Sequence, residues 1–305
     1  MRILLTGVNG QVGSALREPL QAFGTVLAAD RGVLDLGRPE GIAATLDALA
    51  PDLIVNPAAY TAVDQAEDDA ALAFAVNGEA PRALGRWAAP RGVPIIHFST
   101  DYVFDGSGER AWREDDATAP LSVYGASKLA GEAALREVGA PHLIMRTSWV
   151  FAARGRNFLT TMARLARERT ELRVVGDQIG APTSAHSLAS AVVAILTSTG
   201  GSDLAATRSA FARADGLVHA ACRSETSWHG FATEIVAGLR RRGTDLAVRE
   251  IVAIGTGEFP AKAPRPRNSR LDQTRLESVF GVTLPDWRAA LSREIDAFCG
   301  EPASR

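Results

Sequence analysis

Cysteine is scarce. Cys222 and Cys299 lie far apart in 305 residues, so they supply neither a disulfide framework nor a thiolate metal site, and the chain reads as one made for a reducing, cytoplasmic setting. Long apolar runs are missing as well. No window approaches the roughly eighteen apolar residues of a membrane span, and Ile3-Leu4-Leu5 is stopped by Thr6-Gly7, too early for a signal peptide. Charge of one sign is not in excess: a formal net charge of −2 argues against nucleic acid or a membrane surface as the main partner. There is no internal repeat and no low-complexity tract. His186, His219 and His229 are too scattered for a metal site. Against these absences stands a hydrophobic fraction of 46%, enough over this length for one large domain or two unequal ones.

The chain opens as strand, glycine turn and helix. Residues 1–6 form a β-type run, Gly7-Val8-Asn9-Gly10-Gln11-Val12-Gly13 follows, and Ser14-Ala15-Leu16-Arg17 has helical character. Dinucleotide sites need that order, because glycines let backbone approach a pyrophosphate and a helix N-terminus offers free N–H groups. The spacing is GxxGxxG rather than GxGxxG, and a plain tight turn is the competing reading; the first strand-to-helix position favours a cofactor. The next strand, Thr25–Ala29, ends in Asp30, which can accept from a ribose 2′-hydroxyl as in NAD sites, yet Arg31 follows at once and suits a 2′-phosphate. These residues leave NADH and NADPH both open. Val33-Leu34-Asp35-Leu36 is a short segment able to lie along an adenine. Residues 40–50 read as a helix, and the buried strand Leu53-Ile54-Val55 runs into Asn56-Pro57-Ala58-Ala59-Tyr60, whose small residues leave room for a cofactor at a strand's carboxyl end. Residues 69–86 read as one alanine-rich helix, in which Asn77 either points to water or, the favoured reading, ties to a neighbouring loop.

Residues 93–98 are the next buried strand, with His97 a satisfied core residue inside it. It leads into Ser99-Thr100-Asp101-Tyr102-Val103-Phe104, where Tyr102 reads as packing. A polar, turn-rich stretch returns the chain to Ser-Val-Tyr-Gly-Ala-Ser-Lys-Leu-Ala-Gly-Glu at 122–132. There Tyr124 and Lys128 share one helix face, a turn apart. An ammonium beside a phenol lowers its pKa. That suits carbonyl reduction, in which hydride reaches carbon and the phenol protonates oxygen. A surface tyrosine beside a solvated lysine is the plain alternative. Thr100, at the carboxyl end of a central strand, is placed to converge with Tyr124 and Lys128.

Past Phe151 the alternation weakens, continuing only through a strand at 172–175 and a helix at 187–196. The pattern predicts an α/β fold: a Rossmann-type doubly wound parallel sheet with a smaller α+β substrate domain. The dinucleotide-binding domain takes residues 1–150 plus about 172–200, and the smaller second domain takes 151–171 and about 201–305. The run Arg240-Arg241-Arg242 reads as the solvated end of a helix, complementing its dipole.

Longer segments narrow the reading. TGVNGQVG, NPAAYTAVDQAE, FSTDYVFDG, PLSVYGASKLAGE, RTSWVF, DQIGAPTSA, TSWHGFA, RPRNSRLD and the late Leu-Pro-Asp-Trp span almost the whole chain. Together they resemble the dTDP-4-dehydrorhamnose reductases, a family of extended short-chain dehydrogenase/reductases. The resemblance implies NADPH or NADH as cofactor and a dTDP-sugar as substrate, its C4 keto group being reduced to give dTDP-L-rhamnose. It implies Tyr124 as proton donor, Lys128 on the nicotinamide ribose and holding the phenol acidic, and Thr100 at the keto oxygen. Gly7, Gly10, Gln11 and Val12 would cradle the pyrophosphate, and Asp30, Asp35, Leu36, Ala58, Ala59 and Tyr60 would line the adenosine path. Asp101, Val103, Trp149, Asn157 and Arg265 would meet the sugar nucleotide, with Arg267 and Arg270 as further phosphate candidates; for each arginine a surface charge is the competing reading. Some members are dimers bridged by a metal on glutamates. Ala15 and His186 stand where two of those would fall, so no required metal is expected and the chain is expected to be a monomer or homodimer.

Two rivals remain. An epimerase or dehydratase of the same superfamily would recycle its hydride and retain NAD; here Tyr102, not a glutamate, follows Asp101. A non-catalytic regulatory subunit, of the type that partners methionine adenosyltransferase, would keep the glycine turn without the chemistry.

Overall fold

Apolar strands too short and too continuous to face water set the frame. In the computed structural model, which describes residues 1–300, the chain begins β1 (Arg2–Thr6), α1 (Gln11–Leu16), β2 (Thr25–Ala29), α2 (Ile42–Leu49), β3 (Leu53–Asn56), α3 (Ala70–Phe74), α4 (Ala80–Ala88), β4 (Ile95–Thr100), α5 (Val123–Glu137) and β5 (His142–Thr147). It continues as β6 (Val150–Phe151), α6 (Phe158–Glu168), β7 (Glu171–Val175), β8 (Ile179–Gly180), β9 (Thr183–Ser184), α7 (Ala185–Ser198), α8 (Leu204–Arg213) and β10 (Leu217–His219). Last come β11 (Thr226–Ser227), α9 (Trp228–Arg241), β12 (Glu250–Ile254), β13 (Asn268–Ser269), α10 (Thr274–Phe280) and α11 (Trp287–Gly300).

The large sheet has the order β10-β5-β4-β3-β1-β2, all parallel. Successive side chains take opposite faces. Ile3, Leu5, Val55, Ile96, Phe98 and Met145 enter one core with residues of α7, α8 and α10, while Leu4, Ile54, Ile95 and Ile144 enter another with α2 and α4. Burial on both faces is what a parallel sheet covered by helices requires. From β1 the chain winds outward to β2, then crosses to the other side of β1 for β3, β4 and β5. That reversal opens a crevice at the carboxyl ends of β1 and β3, between Thr6-Gly7 and Asn56-Pro57-Ala58.

The helix expected over 69–86 is interrupted. Between α3 and α4 lies a π-helical turn, Ala75–Glu79. Pro81 carries no N–H for the Asn77 carbonyl, and Gly131 of α5 comes so close that a Cβ there would lie 2.1 Å from that oxygen. The widened turn leaves the buried Asn77 side chain free to bridge: Oδ1 accepts from Tyr60 N at 2.8 Å, and Nδ2 donates to Tyr60 O and Ser127 Oγ at 3.0 Å each.

A second core forms around Phe151, Phe231, Ile235 and Trp287, from α6, α9 and α11. The structure distributes the late segments differently from the expectation. β7 (residues 171–175) pairs in parallel with β12, because Leu172 and Val174 turn into this second core. Conversely α8, β10 and α10, expected in the smaller unit, join the large sheet, with Val218, Phe211 and Leu276 in its core. Residues 301–305 of the expected smaller domain lie outside the described residues. Among the described residues no helix is long and apolar enough to cross a membrane.

Candidate active site

The glycine turn is built for close approach. Gly7 has φ +57°, and a Cβ on it would lie 2.9 Å from Ala58 backbone; one on Gly13 would lie 2.0 Å from Gly7 O. No other residue fits either place without moving the turn against β3. Gly10 N donates to Gly7 O at 2.8 Å and Gly10 caps α1, so Gln11 and Val12 begin the helix at the crevice. Beside the turn lies a cavity of about 320 Å³ lined by Gly7, Asp30, Arg31, Asp35, Leu36, Ala58, Ala59 and Tyr60, among others. Thus Gly7 and the six residues expected along the adenosine path share one concavity. Asp30 Oδ1 accepts from Gly32 N and Val33 N at 2.9 and 3.1 Å, and Arg31 lies 3.3 Å from Asp35. Tyr60 donates to Asp69 at 3.1 Å, and its phenol is pushed up by burial and by Asp69. The cradle fits a dinucleotide, and Gln11 Oε1, buried with no protein partner, stands at its phosphate end.

One strand away, β4 delivers Thr100 and the turn after it delivers Asp101 and Tyr102. Thr100 Oγ1 donates to Asp101 Oδ1 at 3.1 Å and accepts from Tyr102 N at 3.2 Å. The start of α5 lies against this turn. Ser122 caps the helix through Gly125 N, and a Cβ on Gly125 would lie 2.2 Å from Tyr102 O. The Tyr124 ring therefore meets Tyr102 edge to face, centroids 5.5 Å apart. Burial pushes the Tyr124 phenol up to about 12, the Thr100 hydrogen bond opposing and the Asp101 charge adding to the rise. Asp101 is 1% exposed, its Oδ2 has no partner, and burial pushes its carboxyl up to about 6 against the nearby hydroxyls of Ser269 and Thr100. Thr100 and Tyr124 thus converge as the spacing suggested.

Lys128 requires a correction. The helix spacing suggested an ammonium lowering the phenol's pKa, yet the phenol is raised. Lys128 is 2% exposed, and its Nζ donates to Phe98 O at 2.6 Å and sits 3.4 Å from His97 Nε2. Burial pulls the ammonium itself down to about 8, Glu132 opposing. Desolvation thus governs both groups. His97 is inside the sheet as expected, but it touches Lys128. Sequence reading also missed the ties that seat α5. Ser99 Oγ donates to Glu132 Oε1 at 2.6 Å, and Arg146 forks onto Glu132 through Nε at 2.8 Å and Nη2 at 2.6 Å, all three buried. Glu132 falls one helical turn after Lys128, which is the only signal the sequence carried.

The residues expected at the sugar nucleotide are placed unequally. Trp149 adopts φ +50° and stacks on Trp228, centroids 3.8 Å apart. Val103 is fully buried with Phe104 and Leu271, so its side chain offers no surface to a ligand. Asn157 caps α6, Oδ1 accepting from Thr160 N and Nδ2 donating to Ala152 O and Arg154 O; its amide is already committed to the loop. Arg265 pairs with Asp64 at 2.8 Å, Arg267 lies 3.8 Å from Asp177, and Arg270 pairs with Glu225. Among the described residues no cluster of three or more His, Cys, Asp or Glu is arranged to hold a metal.

Comparison with known proteins places this geometry. The family described as RmlD substrate binding domain matches residues 1–299. The chain is 48% identical over 293 residues to a dTDP-4-dehydrorhamnose reductase of Burkholderia thailandensis, covering 95% of this chain and 97% of that one. It is 43% identical over 301 residues to that of Escherichia coli K12, covering 97% of each. Among solved structures, a dTDP-4-dehydrorhamnose reductase from Clostridium acetobutylicum matches with a TM-score of 0.86 at 34% identity, covering 98% of this chain and all of that one. One from Bacillus anthracis, in complex with NADP, matches with a TM-score of 0.84 at 31% identity, covering 97% and 99%.

Proposed function

The chain belongs to the dTDP-4-dehydrorhamnose reductase family, and from that premise we infer that it reduces the C4 keto group of dTDP-4-dehydro-6-deoxy-L-mannose to dTDP-L-rhamnose. The observation that carries this reading is the meeting of Thr100 and Tyr124 at the carboxyl end of β4, with only β3 between it and the strand that leads into the glycine turn. The bound nicotinamide cofactor, NADPH or NADH, supplies the hydride. Gly7, Gly10, Gln11 and Val12 hold the pyrophosphate on backbone N–H groups, and Asp30, Asp35, Leu36, Ala58, Ala59 and Tyr60 receive the adenosine.

The chain's own chemistry is proton supply and orientation. A phenol with its pKa near 12 stays protonated through the physiological range and releases its proton only as negative charge develops on the ketone oxygen. The Thr100 hydroxyl, anchored by Tyr102 N, turns its one hydrogen from Asp101 to the ketone oxygen as charge develops there. Lys128 would hold the nicotinamide ribose. Asp101 meets the sugar hydroxyls, and Trp149, backed by Trp228, presents an aromatic face to the sugar nucleotide. Val103 supports the turn from within the core, and Asn157 shapes the loop before α6. Arg265, at the junction of the two cores, meets the diphosphate on leaving Asp64. We place the cofactor on the large-sheet domain and the sugar nucleotide on the smaller one, in a cytoplasmic protein that works as a monomer or homodimer without a required metal.

The test is a cofactor-oxidation assay with the dTDP-keto sugar, with UDP- and GDP-keto sugars as comparisons. Turnover selective for the dTDP compound is expected. Firmly retained NAD without net oxidation would favour a hydride-recycling epimerase or dehydratase, and no cofactor consumption with any keto sugar would favour a regulatory subunit.

A further inference from the structure

Four residues on separate elements form a buried chain of which the proposed reduction uses only Lys128. Ala58 N donates to Thr6 Oγ1 at 3.3 Å, Thr6 Oγ1 donates to Asn56 Oδ1 at 2.6 Å, and Asn56 Nδ2 lies 3.0 Å from His97 Nδ1. His97 Nε2 then lies 3.4 Å from Lys128 Nζ, which donates to Phe98 O. Thr6, Asn56, His97 and Lys128 are all buried. The 2.6 Å separation suits a hydroxyl donating to an amide oxygen and is short for an amide N–H on a hydroxyl. With the amide reversed, Thr6 Oγ1 would receive two N–H groups and its own hydrogen would lose the Asn56 oxygen. So Asn56 gives its N–H to His97 Nδ1, and the imidazole, being neutral, carries its proton on Nε2.

We propose that His97 is a positioning residue for Lys128: the one-way chain Ala58–Thr6–Asn56–His97 aims the imidazole Nε2–H at the lysine nitrogen and thereby favours the neutral amine. A neutral amine has a lone pair to accept that hydrogen, whereas an ammonium has none. The contacts agree. Lys128 draws close to the Phe98 carbonyl and stands off from the imidazole, as a cation does when a donor faces it. The consequence is a lysine poised between charge states one helical turn along α5 from Tyr124.

The electrostatic surroundings are limited and mostly committed. Glu132 on α5 favours the ammonium but is itself held by Arg146 of β5. His142, at the start of β5, and Lys128 both disfavour charge on His97. Asp101 is tied to Thr100 and Tyr102 faces Tyr124; Glu67 accepts from Val123 N, and Arg82 of α4 pairs with Glu79 and Glu137. Tyr124, on α5 itself, stays neutral.

The protein offers a direct readout, because Lys128 and Lys262 are its only lysines. Lysine carrying 13C at Cε gives two titrating signals in the full chain, and Lys262→Arg assigns them. His97→Met is expected to move the Lys128 signal upward by about one unit, a tenfold change in the protonation equilibrium, because the donor facing it is gone. His97→Gln, which can turn an oxygen to the ammonium, is expected to move it the same way. A Lys128 signal that stays put or moves down in both variants overturns the proposal. Should neither variant fold, 15N spectra of histidine in the unaltered protein decide: a proton on His97 Nε2 is expected, and one on Nδ1 overturns the proposal. The reading that Lys128 serves a reductase gives the device its purpose, but these titrations need no substrate, so either can fail while the other stands.

Discussion

A side chain's position on a strand or helix decides what water does to it, and at this site water is mostly excluded. Tyr124→Phe removes the proton and little else. We expect turnover to fall by roughly 10²- to 10⁴-fold with cofactor affinity nearly unchanged, measured by fluorescence titration of the cofactor beside steady-state kinetics. Asp101 makes a stability prediction with an unusual sign for a carboxyl. Its folded pKa, about 6, lies above the unfolded value near 3.9, so the folded state binds the proton more tightly. The favourable contribution is therefore fully present below about pH 4 and is lost as pH rises through 6, on the order of 3 kcal/mol in all. Asp101→Asn keeps an oxygen for Thr100 and cannot ionise. It should unfold at higher urea than the unaltered protein at pH 8, with the gap closing near pH 4; a gap that does not change with pH contradicts the assignment. Residue types and spacing made Tyr124 and Thr100 legible. The charge states were not legible, because they follow from burial depth, and a helix period does not reveal how far below the surface its face lies.

At the scale of the element, α5 is the piece that must be seated. Gly125 and Gly131 let it approach Tyr102 and Asn77 backbone, and Glu132 ties it to β4 and β5 through Ser99 and Arg146. Breaking such a pair leaves a buried charge alone. Glu132→Gln should cost roughly 3–5 kcal/mol in urea unfolding and should reduce turnover even though residue 132 is not assigned to touch substrate. A variant as stable as the parent would show that Arg146 finds another partner. The glycine turn is judged the same way. Gly7→Ala places a methyl against Ala58 at positive φ, so cofactor affinity should drop at least tenfold by about 1.4 kcal/mol or more, read from cofactor titration. The strands and helices of the first half were legible because each is a clean apolar run or stripe. The break in the 69–86 helix was less so: Pro81 could be read, but the nearness of Gly131 to the Asn77 carbonyl is a fact of packing.

For the whole molecule, the large sheet holds the glycine turn and Thr100 at the carboxyl ends of its interior strands β1 and β4, while Trp149 stacks on Trp228 at the margin of the second core and Arg265 pairs with Asp64. The late segments could not be sorted from sequence, because a strand as short as β7 shows which of its faces is apolar and not which sheet it joins. The region between the cores is laced by exposed ion pairs, Arg265 with Asp64 and Lys262 with Asp68, and such pairs add about 1 kcal/mol or less each. Arg265→Ala should accordingly leave stability almost unchanged while raising the KM for the dTDP-sugar about tenfold through a lost phosphate contact; an unchanged KM would confine Arg265 to its ion pair. The account as a whole turns on net reduction of a dTDP-keto sugar with Tyr124 as the acid. The most direct measurement is single-turnover mixing of enzyme, reduced cofactor and dTDP-4-dehydro-6-deoxy-L-mannose, following cofactor absorbance in the parent and in Tyr124→Phe. The account predicts prompt stoichiometric oxidation in the parent and a rate at least about 100-fold slower in the variant; equal rates, or no oxidation in the parent, would contradict it.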